Sequence, residues 1–232
     1  MKFRKWFKDE FITGYTIFEK FFMVSLIILQ IVVFMIQPDS VLGFISGLSG
    51  VISVVLCAKG KISFYYIGFV QTITYLFLAW QNKFYGEVIE NIFYLVTMII
   101  GIVLWLKHLN KTENQGTQVE AKRMTVIQWG ISIILTLIAT IITGIVLRQI
   151  GNAQPFTDAT TNVLAIFAQL LMLKRYREQW IWWIVIDIIC IKMWFVAGNA
   201  SMVVMYIAWT INCIYGWYNW TKLNKVQTNL EV

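Results

Sequence analysis

MTVIQWGISIILTLIATIITGIVL, residues 124–147, carries no charged side chain between Arg123 and Arg148. A helix of that length rises ~36 Å, enough to cross a hydrocarbon core about 30 Å thick. Its apolar residues do not alternate with polar ones as a barrel strand requires. The stretch therefore reads as a membrane-spanning helix. Outward from it, breaking the chain at its charged clusters leaves eight such stretches, at about 18–37, 41–58, 62–80, 85–106, 124–147, 157–173, 180–197 and 201–220. The second and sixth are short and carry Gly, Ser, Thr and Asn. Turns as brief as Pro38-Asp39-Ser40 and Gly198-Asn199-Ala200 separate neighbours.

Composition agrees. Of 232 residues 59% are hydrophobic and only 13% charged, where a soluble domain has about a quarter charged. The mean hydropathy is +0.68. Two prolines exclude Pro-rich linkers, and three cysteines, Cys57, Cys190 and Cys213, all within apolar runs, exclude a disulfide framework or a CxxC metal pair. Basic clusters at Lys2–Lys8, Lys59–Lys61, Lys107–Arg123, Lys174–Arg177 and Lys222–Lys225 fall on one side if there are eight spans. The other side keeps only Lys83 and Arg148, with Asp39, Glu87 and Asp158. The positive-inside rule then makes both termini cytoplasmic. The formal charge of +7 is explained by topology, and no nucleic-acid partner is needed.

Residues 1–37 read as an interfacial segment over the first twenty, with Phe3, Trp6, Phe7 and Phe11 among basic residues, and an extra first helix. No A-x-A-like cleavage site follows it. The one long polar segment, 107–123, divides the chain nearly in half and reads as a cytoplasmic linker. A shift of 115 residues places Lys59 on Lys174, Tyr94 on Trp209, Gly101 on Gly216 and Trp105 on Trp220, without gaps. The last two pairs form a shared G-x-x-x-W, GIVLW at 101–105 and GWYNW at 216–220. The shift covers four spans, an even number, so the copies run parallel. The expected plan is an all-α membrane protein with eight transmembrane helices: an extra N-terminal helix, a triple-helix repeat at 41–106, a linker helix at 124–147, a second repeat at 157–220 and a cytoplasmic tail at 221–232. Such repeats are a habit of transporters, which rock two bundles about a midplane site.

No HExxH, GxSxG, Walker A or cluster of metal ligands is present, and the single histidine, His108, is expected to face water at a cytoplasmic helix end. The sequence calls for no enzyme activity, metal or cofactor. The densest feature is QWIWWIVID, 179–187, where Trp180, Trp183 and Asp187 recur at helical spacing on one face. Two indoles and a carboxylate suit a planar aromatic cation, through stacking, cation–π attraction and Coulombic pull. An interfacial aromatic belt accounts equally for Trp180 and Trp182. It does not account for Asp187, about 10 Å further along the helix. Glu90 and Lys192 also lie at membrane depth, where ionisable groups are costly, although a lysine can snorkel. Asn91 with Tyr94, and Trp209 with Asn212, share helix faces, and Tyr94 and Trp209 are repeat equivalents that suggest walls of one cavity. Gln71, Asn162 and Gln169 are further polar candidates. For all of these, ordinary interhelical hydrogen bonding is the competing role.

At Trp180-x-x-Trp183-x-x-x-Asp187 the sequence resembles the bacterial vitamin transporters of the PnuC family, whose motif is W-x-x-W-x-x-x-N/D. The resemblance extends to the basic turn KRYREQW at 174–180, both G-x-x-x-W closures and the three-one-three plan. It implies a fold similar to the SWEET sugar transporters and import of nicotinamide riboside through a bacterial cytoplasmic membrane. Transport by facilitated diffusion would be made one-way by a cytosolic kinase. In that expectation Trp180 and Trp183 hold the pyridinium ring and Asp187 balances its charge or bonds the carboxamide or ribose. Asn91 and Asn212 meet ribose hydroxyls, and Gln71, Tyr94 and Trp209 complete the substrate-binding set. The partners are the small molecule and membrane lipid, with homo-oligomers left open. The rival expectations are a thiamine transporter on the same scaffold and a proton-coupled pump using Asp187, Lys192 and Glu90.

Overall fold

The computed structural model describes residues 2–36, 40–83, 85–111, 118–198 and 200–230. Of the expected turns, Pro38, Asp39 and Asn199 lie outside the described residues, as does 112–117 of the linker. Nine helices occur among the described residues: α1 Lys2–Phe11, α2 Ile17–Ile36, α3 Val41–Lys59, α4 Ser63–Gln81, α5 Tyr85–Lys111, α6 Val126–Gln149, α7 Pro155–Leu173, α8 Gln179–Val196 and α9 Ala200–Leu230. Six of these, α2, α3, α5, α6, α7 and α8, are long and apolar enough to cross a membrane. The stretches at 62–80 and 201–220 coincide with α4 and α9, which are helical over that length.

Local chemistry sets the boundaries. Ser40 accepts the Gly43 amide at the start of α3, Thr125 and Gln128 close a reciprocal capping box on α6, and Pro155 occupies the first turn of α7. The chain divides into two compact units, Met1–Val119 and Glu120–Val232, the division falling inside the polar segment 107–123. In the first, α2 packs on α3, α3 on α4 and α4 on α5. In the second, α6 packs on α7, α7 on α8 and α8 on α9.

The 115-residue shift has a counterpart inside each unit. The turn between α3 and α4 passes through Gly60 at φ +74°, and the turn between α7 and α8 through Arg175 at φ +64°. Both turns close alike: Gly60 N–H on Cys57 and Lys61 N–H on Leu56, then Arg175 N–H on Met172 and Tyr176 N–H on Leu171. Each has the reversed bonds of a left-handed helix cap. Within its unit, Val119 N–H bonds to Gly60 O at 3.0 Å, and Lys122 N–H bonds to Arg175 O at 2.7 Å.

The glycines of the G-x-x-x-W motifs work the same way. A Cβ at Gly101 would strike the Tyr65 ring and hydroxyl, and one at Gly216 would lie 2.6 Å from the Trp180 ring. Trp105 meets Tyr65 edge-on at 5.1 Å and 82°, and Trp220 meets Trp180 at 5.9 Å and 82°. Tyr65 and Trp180 are themselves 115 residues apart. Bare backbone lets a large ring lie directly on the neighbouring helix, which is how helices pack tightly where lipid supplies no hydrophobic drive.

The first unit has a charged base. Glu19 accepts from the Lys59 ammonium at 2.7 and 2.9 Å while also closing the cap of α2 with Thr16. The Tyr15 ring lies 5.2 Å from the same ammonium, and its hydroxyl donates to Glu10 O. Burial, then the nearby Glu10 and Glu19, push the Tyr15 phenol up, so it stays a neutral donor. Glu10 in turn accepts the Ser63 amide that opens α4, and Lys61 donates to Asp9 O at 2.7 Å. Burial pulls the Lys61 ammonium down, against the pull of Glu10. This base ties α1 and α2 to the α3–α4 turn, so the amphipathic N-terminal stretch is anchored to the first unit.

Gly216→Ala should cost about 1–3 kcal/mol through overpacking. Gly130→Ala, in α6 with nothing within 4 Å of its Cβ, should be neutral or stabilising by helix propensity. Unfolding in detergent compares the two. Lys59→Met strands a buried carboxylate and should cost ~3–5 kcal/mol. Most of that loss should return in the double variant with Glu19→Gln, and a purely additive double variant would rule out the coupling.

Candidate functional site

Helix α8 begins after the Arg175 turn and carries the aromatic stripe into the second unit. Trp180 is 3% exposed and lies between Gly216 and Trp220 of α9. Trp182 is also buried, tilted on Trp129 at 5.8 Å and edge-on to Phe167 at 5.8 Å, in a cluster with Met124, Leu164, Ile186 and Cys190. Neither ring stands at a water boundary, so the belt reading fails for both. Trp183 is half-buried, packed along one side of that cluster. Asp187, two turns beyond Trp180, is buried and accepts from the Cys213 thiol at 3.5 Å. A little further on, Tyr206 is hydrogen-bonded to Cys190 and Trp194. The second unit thus holds a half-open indole beside a carboxylate that no cation neutralises among the described residues.

The equivalent positions of the first unit lack this chemistry. Trp183 corresponds to Gly68, where a Cβ would meet Met98 at 2.8 Å and Ser53 at 2.9 Å. Asp187 corresponds to Thr72, whose hydroxyl donates to Met98 Sδ at 3.6 Å. Met98 is the equivalent of Cys213. Where the second unit pairs a thiol with a carboxylate, the first pairs a hydroxyl with a thioether and closes over a glycine.

The remaining candidates sit as follows. In the first unit Asn91 is buried and donates to Glu87 O at 2.7 Å, and Tyr94 donates to Glu90 at 2.6 Å. Gln71 accepts from Thr72 at 3.2 Å and packs against Gly50. In the second unit Trp209 lies edge-on to Tyr206 at 5.2 Å, and Asn212 is buried. Gln169 is buried, whereas Asn162 and Lys192 are exposed on their helices, which fits a snorkelling lysine. His108 is half-buried, held by contacts near the end of α5, and does not simply face water. Among the described residues no group of three His, Cys, Asp or Glu could hold a metal. Sequence reasoning gave no role to Cys213 or Gln179. The signal for Cys213 was its place 115 residues after Met98, and for Gln179 its place one turn before Trp183.

The profile of a family described as nicotinamide mononucleotide transporter matches residues 40–222. The chain is 38% identical to the nicotinamide riboside transporter PnuC of Haemophilus influenzae, over 94% of this chain and 96% of that one. It is 37% identical to the protein of the same name from Neisseria mucosa, over 95% and 87%. A crystal structure of the vitamin B3 transporter PnuC is similar with a TM-score of 0.81 and 35% identity, covering 95% of this chain and 97% of that one.

The two indoles of the motif are expected to separate in stability measurements without ligand. Trp180→Ala empties a fully packed contact and should cost about 3–5 kcal/mol. Trp183→Ala should cost clearly less, since its ring is already half-exposed. Equal losses in detergent unfolding would make Trp183 a packing residue like Trp180.

Proposed function

The chain belongs to the nicotinamide mononucleotide transporter family, and from that membership we propose that it imports nicotinamide riboside through a bacterial cytoplasmic membrane by facilitated diffusion. As a member of a family of transporters it is not an enzyme. The observation that carries the substrate reading is the α8 stripe, a half-buried Trp183 beside the buried Asp187 and Trp180. A pyridinium ring is planar and cationic. It gains from an indole face and from an anion that a low-dielectric surrounding does not screen. Relatives 38% and 37% identical bear the name of riboside transporters.

The same carboxylate discriminates between two forms of the ligand. The mononucleotide adds a phosphate to the riboside, and a phosphate near Asp187 would be repelled. This favours the riboside over the mononucleotide named in the family's description. In the second unit Asn212 is assigned to the ribose hydroxyls and Trp209 to the substrate's surroundings. The reading takes α2 to α9 as eight spans, with α2 as the extra helix, α3–α5 and α7–α9 as parallel repeats and α6 as the link, both termini cytoplasmic. A cytosolic kinase would trap the riboside after entry.

Trp183→Ala is expected to abolish riboside uptake into vesicles while leaving membrane insertion and folding intact. Unlabelled nicotinamide riboside should compete with the labelled form, and an equal excess of thiamine or mononucleotide should not. Competition by thiamine alone would keep the scaffold and move the substrate. Uptake unchanged in the variant would remove Trp183 from the site.

A further inference from the structure

Gln179 opens α8 with a side chain that is 0% exposed. Neither its Oε1 nor its Nε2 has a hydrogen-bond partner among the described residues. Its equivalent in the first unit is Phe64, buried against the Trp105 ring at 5.0 Å. An apolar side chain therefore suffices for packing at this place in the fold. A buried amide that makes none of its bonds is unfavourable beside an apolar group of similar size, so its presence calls for a partner outside the chain. Position indicates which partner. Gln179 precedes Trp183 by one helical turn and shares a stripe with Trp183, Trp180 and Asp187. The indole N–H of Trp180 is likewise buried without a partner. A primary amide presents one donor and one acceptor side by side, the complement of another primary carboxamide.

We infer that Gln179 determines specificity by pairing with the carboxamide of the substrate. The inference rests on the reading of nicotinamide riboside as that substrate. With the ring at Trp183, the carboxamide points to the start of α8 and the ribose toward Asp187, about 12 Å from Gln179 along the helix. A carboxylate in place of the carboxamide has no donor for Oε1, so nicotinic acid riboside is rejected. A ring without the substituent leaves both amide atoms of Gln179 buried and unmet. Sites built to bond a substrate's polar group discriminate strongly against analogues lacking it.

The test is binding of three ligands to the purified full chain in detergent: nicotinamide riboside, nicotinic acid riboside and the riboside of unsubstituted pyridine. The wild type should prefer the first by about tenfold or more. Gln179→Met should lose about tenfold for nicotinamide riboside and leave the pyridine riboside within about twofold. Equal weakening of both ligands, or of neither, would make Gln179 structural and overturn the inference while the substrate stands. Wild type that binds the nicotinamide and pyridine ribosides equally would do the same. Wild type that binds none of the three would overturn the substrate reading, and this inference with it. Gln179→Asn, which keeps the amide but withdraws it by one methylene, supplies the comparison if the Met variant does not fold.

Discussion

The bare backbone of α9 at Gly216, lying directly under the Trp180 ring, fixes how α8 and α9 run against each other. In lipid a helix pair gains nothing from hiding apolar surface from water, so close packing must supply the attraction. Once Trp180 is seated on Gly216, the antiparallel register decides what lies opposite what. Asp187 falls on Cys213, and Cys190 on Tyr206. The first unit uses the same lock, with Tyr65 on Gly101, and Thr72 consequently meets Met98. One small residue per unit thus determines which polar groups can reach each other two turns away.

With the frame held in common, differences between the units stand out as chemistry. At the position of Trp183 the first unit has Gly68, enclosed by Met98 and Ser53. At the position of Asp187 it has a threonine, and at that of Gln179 a phenylalanine. Each replacement removes an aromatic face, a charge or an amide while keeping the helix packing. Some polar side chains of the first unit bond within their own helix: Asn91 on Glu87 O, Thr97 on Phe93 O, Thr74 on Val70 O. Such bonds one turn back partly satisfy a polar group within its own helix.

The helices were legible because membrane spans advertise themselves through length and lack of charge, and the shared G-x-x-x-W pointed to the close glycine contact that each unit contains. What the glycines touch was not legible. The sequence puts Gly216 beside Trp217 and Trp220, and only the fold reveals that Trp180 fills the space. For the same reason the spacing of Trp180, Trp183 and Asp187 placed them on one face without separating a ring held in packing from one left half-open. The buried pair of Glu19 and Lys59 was hidden too, because its partners are forty residues apart and read singly as ordinary flanking charges. Among the described residues six helices are long and apolar enough to span a membrane.

Two buried carboxylates illustrate how partners reveal purpose. Glu19 is matched by a lysine at 2.7 Å, caps its own helix, and shares that lysine with the Tyr15 ring. Its charge is fully answered, as a structural ion pair requires to offset the cost of leaving water. Asp187 is equally buried but receives only a thiol at 3.5 Å, a weak donor. Lys192, five residues further along α8, is exposed and leaves that charge unanswered. An intramembrane carboxylate held so weakly is expensive unless something cationic visits it. A permanent salt bridge at this point would have stabilised the helix pair and removed the attraction that a passing pyridinium needs. On the proposed reading, weak binding by the protein itself is the condition under which Asp187 would engage a substrate and release it.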